Sequence, residues 1–79
     1  MDHPEVCRVA LLEMARRPHL TGGDDLISVL IRMIGNPVIC WEVTLTYSVS
    51  AFRVEIGADG LNASVTEIFP SRPNLYVLG

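Results

Sequence analysis

Hydrophobic and polar residues change their spacing at Gly35-Asn36-Pro37, which divides the chain into two parts. Before this point, apolar residues recur three and four positions apart, which is the period of an amphipathic helix. After it, apolar and polar residues alternate, which is the period of a strand with one buried face. The sequence therefore predicts helices in the first part and an antiparallel sheet in the second.

The first predicted helix begins at Asp2, whose carboxylate can cap the free amides of the first turn. Pro4 suits that turn, and Glu5 completes an acidic form of the capping box. Pro18 predicts that the helix ends at or near Arg17. The residues expected on its buried face are Cys7, Ala10, Leu11, Met14 and Ala15.

Two apolar residues of this helix fall outside the predicted buried face. Val9 and Leu12 project among charged residues at 100° per residue. Single apolar residues are common on protein surfaces. The same two residues would also suit the anchors of an interface with a partner.

Residues 26–34 predict a second helix. Seven of these nine residues are large and apolar, and the two polar ones, Ser28 and Arg32, are four apart and would share one helix face. Thr21 or Asp24 would cap this helix, while Gly35 and Pro37 would end it. The alternative is a strand, because four of the nine residues are β-branched: Ile27, Val29, Ile31 and Ile34.

Two strands follow, with Trp41, Val43 and Leu45 on the apolar side of the first and Phe52 and Val54 on that of the second. A two-residue connection between them would oppose Glu42 to Glu55. A four-residue connection, residues 48–51, pairs Tyr47 with Phe52 instead. Since directly opposed like charges are unfavourable and aromatic pairs are favourable, we expect the longer connection.

The residues from Gly57 to Gly60 predict a turn into a third strand, with Leu61 opposite Ile56. Continued alternation would turn Glu67 inward, so a bulge or the strand end is expected near Thr66. Residues 74–78 would add a short further strand. The predicted fold is α+β: one domain, residues 1–79, with two N-terminal helices packed on one face of a three- to four-stranded antiparallel meander.

Composition indicates more apolar surface than so small a domain can bury. Of the 79 residues, 49% are hydrophobic, and the mean hydropathy is +0.36. A domain of this size buries only about 60% of the surface of its unfolded chain. No apolar segment approaches the roughly 20 residues of a membrane span, and acidic residues stand where a signal peptide is basic. We therefore expect a cytoplasmic protein with an apolar interaction surface.

The charge balance is mildly acidic. Nine carboxylates and six basic residues, all of them arginine, give a formal net charge of −3. This balance argues against direct nucleic-acid binding, which requires basic residues to neutralise phosphates. It is compatible with a protein partner that has a basic surface.

Candidate chemical sites are few. His3 and Cys7 have a workable spacing for two metal ligands on a helix, but no paired motif supplies the others. Cys7 and Cys40 are expected to be free thiols among apolar neighbours. No motif for nucleophilic catalysis or phosphate binding is present. We therefore expect a protein that is not an enzyme and has no metal or cofactor.

The leading functional hypothesis is a small, non-enzymatic, acidic binding protein that occupies a basic surface of another protein. Exposed carboxylates would select the partner and apolar anchors would slow dissociation. The alternative is a structural protomer of a homodimer or larger assembly, joined through its helices or a sheet edge. The candidate binding residues are Asp24, Asp25, Glu42, Glu55, Asp59, Val9 and Leu12.

In its small size, its acidity and its lack of catalytic motifs, the chain resembles the small phage-borne inhibitors of bacterial defence, including anti-CRISPR proteins. The resemblance implies an inhibitor that blocks the nucleic-acid-binding surface of a defence effector complex. These inhibitors share no common signature, so the resemblance assigns no role to any residue of this chain.

Overall fold

One long helix and four strands form the described part of the protein. The computed structural model describes residues 2–69. Its elements in chain order are α1 (His3–Ala15), the short α2 (Pro18–Thr21), β1 (Leu26–Ile34), β2 (Cys40–Tyr47), β3 (Ala51–Gly57) and β4 (Ala63–Phe69). The strands form one antiparallel sheet in the order β1-β2-β3-β4. The predicted α+β class and the meander are confirmed.

The start and the end of α1 agree with the sequence. The Asp2 carboxylate accepts a hydrogen bond from the Glu5 amide at 2.9 Å, which satisfies one of the free donors of the first turn. Arg17 donates to both the backbone carbonyl and the carboxylate of Glu13 at 2.9 Å. The helix gives way after Ala15 to a C-cap at Arg16, and Pro18 begins α2.

The buried face of α1 differs from the expected one. Val6, Ala10 and Met14, each four residues apart, are buried against the sheet. Ala10 and Met14 were predicted, but Leu11 and Ala15 are exposed and Cys7 is only half-buried. The helix is therefore rotated toward Val6. Helical periodicity alone could not distinguish these faces, because apolar residues surround the helix on both sides of Ala10.

The prediction of a second helix at residues 26–34 is wrong, because this segment is strand β1. Its β-branched residues suit the extended backbone. Ser28 and Arg32 still share a face, since strand residues at even spacings point to the same side. Asp24 consequently lies in the loop before a strand and caps no helix. Residues 2–69 thus contain one long helix and the four-residue α2 in place of two full helices.

Gly35 directly follows β1 and begins the five-residue connection to β2. Its φ of 91° lies in the left-handed region, which an L-residue rarely adopts. A Cβ at this position would also lie 2.8 Å from Cγ1 of Ile39. Gly35 therefore serves the hairpin between β1 and β2, where the sequence predicted a helix end.

A hydrophobic core lies between α1 and the sheet. Strand β2 alternates as predicted, with Trp41, Val43, Leu45 and Tyr47 buried. Helix α1 contacts all four strands, so it covers the middle of the sheet. The buried hydrophobic side chains of the core cluster are Val6, Ala10, Met14, Trp41, Val43, Leu45, Tyr47, Phe52, Val54 and Ile56.

The Tyr47 amide donates to the Ser50 carbonyl, so only Ser48 and Val49 lie in the turn between the paired residues of β2 and β3. The expected four-residue connection is therefore wrong. Leu45 faces Phe52, and Glu42 lies directly opposite Glu55. The repulsion between these carboxylates is offset by arginines on both sides of Glu42, which come from different strands. Tyr47 still contacts Phe52, as a diagonal neighbour with ring centroids 6.0 Å apart.

The turn at Gly57–Gly60 is confirmed, but its register differs by two residues. The Gly60 amide donates to the Gly57 carbonyl at 2.8 Å, and Ile56 faces Ala63 where Leu61 was expected. Strand β4 continues past Thr66 to Phe69, so it does not end at Thr66. The expected irregularity lies two residues further on, at Ile68, because Phe52 faces Glu67 and Ala51 faces Phe69. The strand predicted at residues 74–78 lies outside the described residues.

Because Tyr47 is buried, we expect the folded protein to lose stability at alkaline pH. Burial raises the pKa of the Tyr47 hydroxyl above 10.0, because desolvation penalises the phenolate. The folded protein therefore holds this proton more tightly than the unfolded chain. Its contribution is present below pH 10 and is lost as the pH rises through the folded-state pKa. Urea unfolding at increasing alkaline pH should show this loss in the wild type and a smaller one in Tyr47→Phe; equal slopes would contradict the assignment.

Candidate protein-binding surface

Strand β1 exposes apolar side chains on both faces of the sheet. Its burial pattern lacks the alternation of β2. Ile27 is 64% exposed, Leu30 58% and Met33 56%. Leu26 and Val29 are also exposed. Five large apolar side chains on one nine-residue strand form more than scattered surface hydrophobics.

Strand β1 is also an edge strand, so one row of its backbone groups has no partner among the described strands. The Tyr47 amide donates to the Ser50 carbonyl at 2.7 Å, which places the odd-numbered residues of β2 in hydrogen-bonded pairs with β3. Its even-numbered residues then pair with β1, because these pairs alternate along an antiparallel ladder. In β1 the even-numbered residues bond to β2, and the groups that point outward belong to Val29, Ile31 and Met33.

The one charge on β1 is compensated within the chain. Arg32 lies opposite Glu42, with its Nε 3.6 Å from a carboxylate oxygen. Nε of Arg53 lies 3.4 Å from the other oxygen of the same carboxylate. Glu42 thus bridges two arginines from neighbouring strands, and the edge itself presents no net charge.

The carboxylates singled out by sequence are spread over the molecule. Glu42 and Glu55 are brought together on the sheet face opposite α1, but Glu42 is largely covered and ion-paired, which leaves Glu55 exposed. The carboxylate of Asp59 accepts a hydrogen bond from the Leu61 amide at 2.9 Å within its turn. This sheet face therefore carries both signs of charge.

The Asp24-Asp25 pair lies far from Asp59. It precedes Leu26, which pairs with Tyr47 at the end of β2, whereas Asp59 follows Gly57, which pairs with Cys40 at the start of β2. The length of β2 separates them by roughly 23 Å at 3.3 Å per residue. That distance exceeds the Debye length of about 8 Å at physiological salt, so these carboxylates do not form one acidic patch.

The two candidate anchors on α1 have different environments. Val9 is half-buried and packs against the protein's own core. Leu12 is 51% exposed. Leu12 is therefore available to a partner, whereas Val9 contributes to the fold.

The other sheet edge is more polar. Strand β4 carries Glu67 together with exposed Ser64 and Thr66. A charge and polar residues along an edge discourage pairing with another strand. Of the two edges of the described sheet, β1 is the one suited to binding.

Residues 2–69 show neither an enclosed pocket nor a cluster of potential metal ligands. His3 packs edge-on against Trp41 with ring centroids 5.4 Å apart. Cys7 and Cys40 are free and half-buried. None of the helices in this part of the chain is long and apolar enough to span a membrane.

Sequence reasoning missed the β1 edge because it assigned residues 26–34 to a helix. The β-branched residues of this segment were the signal for a strand. Its exposure depends on the strand order, which places β1 at the edge and limits the cover that α1 gives it.

Comparison with protein-family models, with curated proteins and with solved structures found no match to the chain.

Proposed function

We propose that this protein is a non-enzymatic binding protein and that strand β1 is its interface. The observation that carries the proposal is a nine-residue edge strand with five exposed large apolar side chains. Its outward backbone groups can pair with a strand of another protein chain, which is a common mode of recognition. The apolar side chains would supply the favourable free energy as they leave water.

The carboxylates beside β1 would contribute to the choice of partner more than to the binding affinity. Asp24 and Asp25 immediately precede β1, so they would place negative charge at one end of the interface. Such charges increase association rates with a partner that places basic residues at that end of the interface. Inhibition of a basic surface of a bacterial defence complex in the cytoplasm is the narrower form of this proposal, in which β1 supplies the anchors expected earlier from Val9 and Leu12.

The experiment compares two leucine substitutions in a tagged full-length chain. Leu30→Lys introduces a charge in the middle of β1, whereas Leu61→Lys does so in the turn between β3 and β4, where the side chain is 82% exposed. Each protein would be incubated with an untagged copy and with bacterial lysate, and the retained proteins quantified by mass spectrometry. Circular dichroism would confirm that both variants are folded.

We expect Leu30→Lys to retain at least about tenfold less of the bound protein, and Leu61→Lys to retain as much as the wild type. A factor of ten corresponds to about 1.4 kcal/mol, which is within the range for an apolar interface side chain. Equal retention by both variants, or no protein retained by the wild type, would overturn the proposal.

A further inference from the structure

We infer that strand β1 binds β1 of a second copy of this chain, antiparallel and centred on Ile31, so that the two sheets become continuous. The inference rests on the proposed function, since it takes β1 as the binding surface and names its partner. The four strands of each copy would form one sheet about a two-fold axis. Because antiparallel pairing about this axis preserves the faces of the sheet, both α1 helices would lie on the same side.

The backbone of β1 is complementary to itself. Its outward groups belong to Val29, Ile31 and Met33, which are spaced by two. Centring on Ile31 places Val29 opposite Met33 of the second copy, Ile31 opposite Ile31, and Met33 opposite Val29. Three pairs that exchange two bonds each would give about six hydrogen bonds, and each outward group of these residues would have a partner.

Neighbouring registers fit less well. A shift by one residue opposes outward groups to inward groups and reverses the faces. A shift of two in one direction brings Ile27, which lies in the irregular start of β1, opposite Met33. A shift of two in the other direction opposes Arg32 to Arg32 of the second copy. The register centred on Ile31 avoids the mismatch of outward and inward groups, the irregular start of β1 and the pairing of Arg32 with Arg32. It pairs the regular stretch from Ser28 to Ile34.

The side chains of β1 suit an apolar and uncharged partner. On the α1 side, Ile31 would pack on Ile31, and Val29 on Met33, which is 56% exposed in the single chain. On the other side, Leu30 would lie opposite Arg32, whose charge is already paired with Glu42 at 3.6 Å. A strongly charged strand would find no uncompensated opposite charge along this edge, whereas a second β1 needs none.

Symmetry also favours β1 over β4 as the partner strand. Pairing of β1 with β4 of another copy is head-to-tail, and repetition of that contact gives a ring or an open chain. Pairing of β1 with itself closes after two copies. The outer edges of the described sheet would then be β4 at both ends, which carries Glu67.

The test measures the mass of the full-length protein by sedimentation equilibrium over a wide range of concentrations. We expect twice the chain mass of 8.7 kDa, falling toward one chain on dilution. Met33→Pro removes an outward amide that makes no bond to β2, so the single chain should keep its fold while self-association weakens at least about tenfold. Met33→Thr, which keeps the amide, is the matched control and should remain a dimer.

Amide hydrogen exchange provides an independent measurement on the wild type. The amides of Val29, Ile31 and Met33 should be protected at concentrations that give the dimer and should exchange faster on dilution. This readout decides the question even where Met33→Pro fails to fold. A dimer that leaves these amides unprotected, or that Met33→Pro does not weaken, would overturn the inference by assigning the contact to another surface.

The inference and the proposed function can fail separately. A protein that stays monomeric at all concentrations contradicts self-pairing; if Leu30→Lys still abolishes capture of a different protein, β1 remains the binding surface for that partner. If the monomer captures nothing, both fail. Protection of the three amides in a concentration-independent monomer would instead show that another segment of the same chain covers β1.

Discussion

Phe52→Ala is expected to lower the free energy of unfolding by about 3–5 kcal/mol. The Phe52 side chain is 1% exposed, lies opposite Leu45 on β2 and packs edge-on against Tyr47. Its removal would leave a cavity in the core between α1 and the sheet. Since small domains are stable by only about 5–15 kcal/mol, a large part of the stability should disappear.

Urea denaturation followed by circular dichroism measures this loss. Leu61→Ala is the control, because Leu61 is 82% exposed and its truncation should change the free energy of unfolding by less than about 0.5 kcal/mol. A loss of under about 1 kcal/mol in Phe52→Ala would show that Phe52 does not pack in the core. The midpoint should fall with little change in slope if unfolding stays two-state.

The core strands could be predicted because a single face of each is covered. In β2, the residues Trp41, Val43, Leu45 and Tyr47 alternate with polar ones, and α1 covers only the apolar side. The alternation of apolar and polar residues along each strand was therefore enough to predict which side chains are buried. The cap at Asp2 and the ion pair between Glu13 and Arg17 were equally predictable, since both involve residues within four positions of each other.

The identity of β1 could not be read in the same way. An edge strand that is exposed on both faces has no strict alternation, so Leu26 and Leu30 weaken the strand period and Ser28 and Arg32 imitate a helix face. The pairing of Arg32 with Glu42 supports the strand, at about 0.2–1 kcal/mol for such a cross-strand pair. The two residues are ten positions apart in the chain, so local sequence patterns do not reveal that they form a pair.

The registers were missed for a related reason. Both candidate connections after Tyr47 place the same side chains on the same faces, so burial does not distinguish them. The favoured two-residue turns need a positive φ, and no non-glycine residue in the described part has one. Ser48 and Val49 are not residues that favour a positive φ, so the sequence contains no signal for a two-residue hairpin at this point. Repulsion between Glu42 and Glu55 disfavours the observed register when only the two strands are considered, but Arg32 and Arg53 offset it.

The candidate binding residues changed for the same physical reason. In the sequence, Glu42 is a polar residue on a predicted exposed face, but the ion pairs that cover it come from two neighbouring strands. Helical periodicity marks Val9 and Leu12 of α1 as apolar residues outside the predicted buried face. The larger exposed apolar surface follows from strand order, which places the apolar β1 at the edge.

Ala10→Leu should lower the free energy of unfolding by about 1–3 kcal/mol. Ala10 is completely buried in the middle of α1, between Val6 and Met14 on the face toward the sheet. A larger side chain there must displace the helix or force its neighbours from their preferred rotamers, because protein cores are close-packed. Since α1 contacts all four strands, its displacement would loosen the packing of the whole sheet.

Ala15→Leu is the matched control for that substitution. Ala15 belongs to the same helix but is exposed, and leucine is nearly as good a helix former as alanine. Urea denaturation should therefore show a change within about 0.5 kcal/mol for Ala15→Leu. Equal losses in the two variants would trace the effect to helix formation and contradict close packing at Ala10. A selective loss at Ala10 would establish the observed rotation of α1, because the sequence-predicted face buries both alanines.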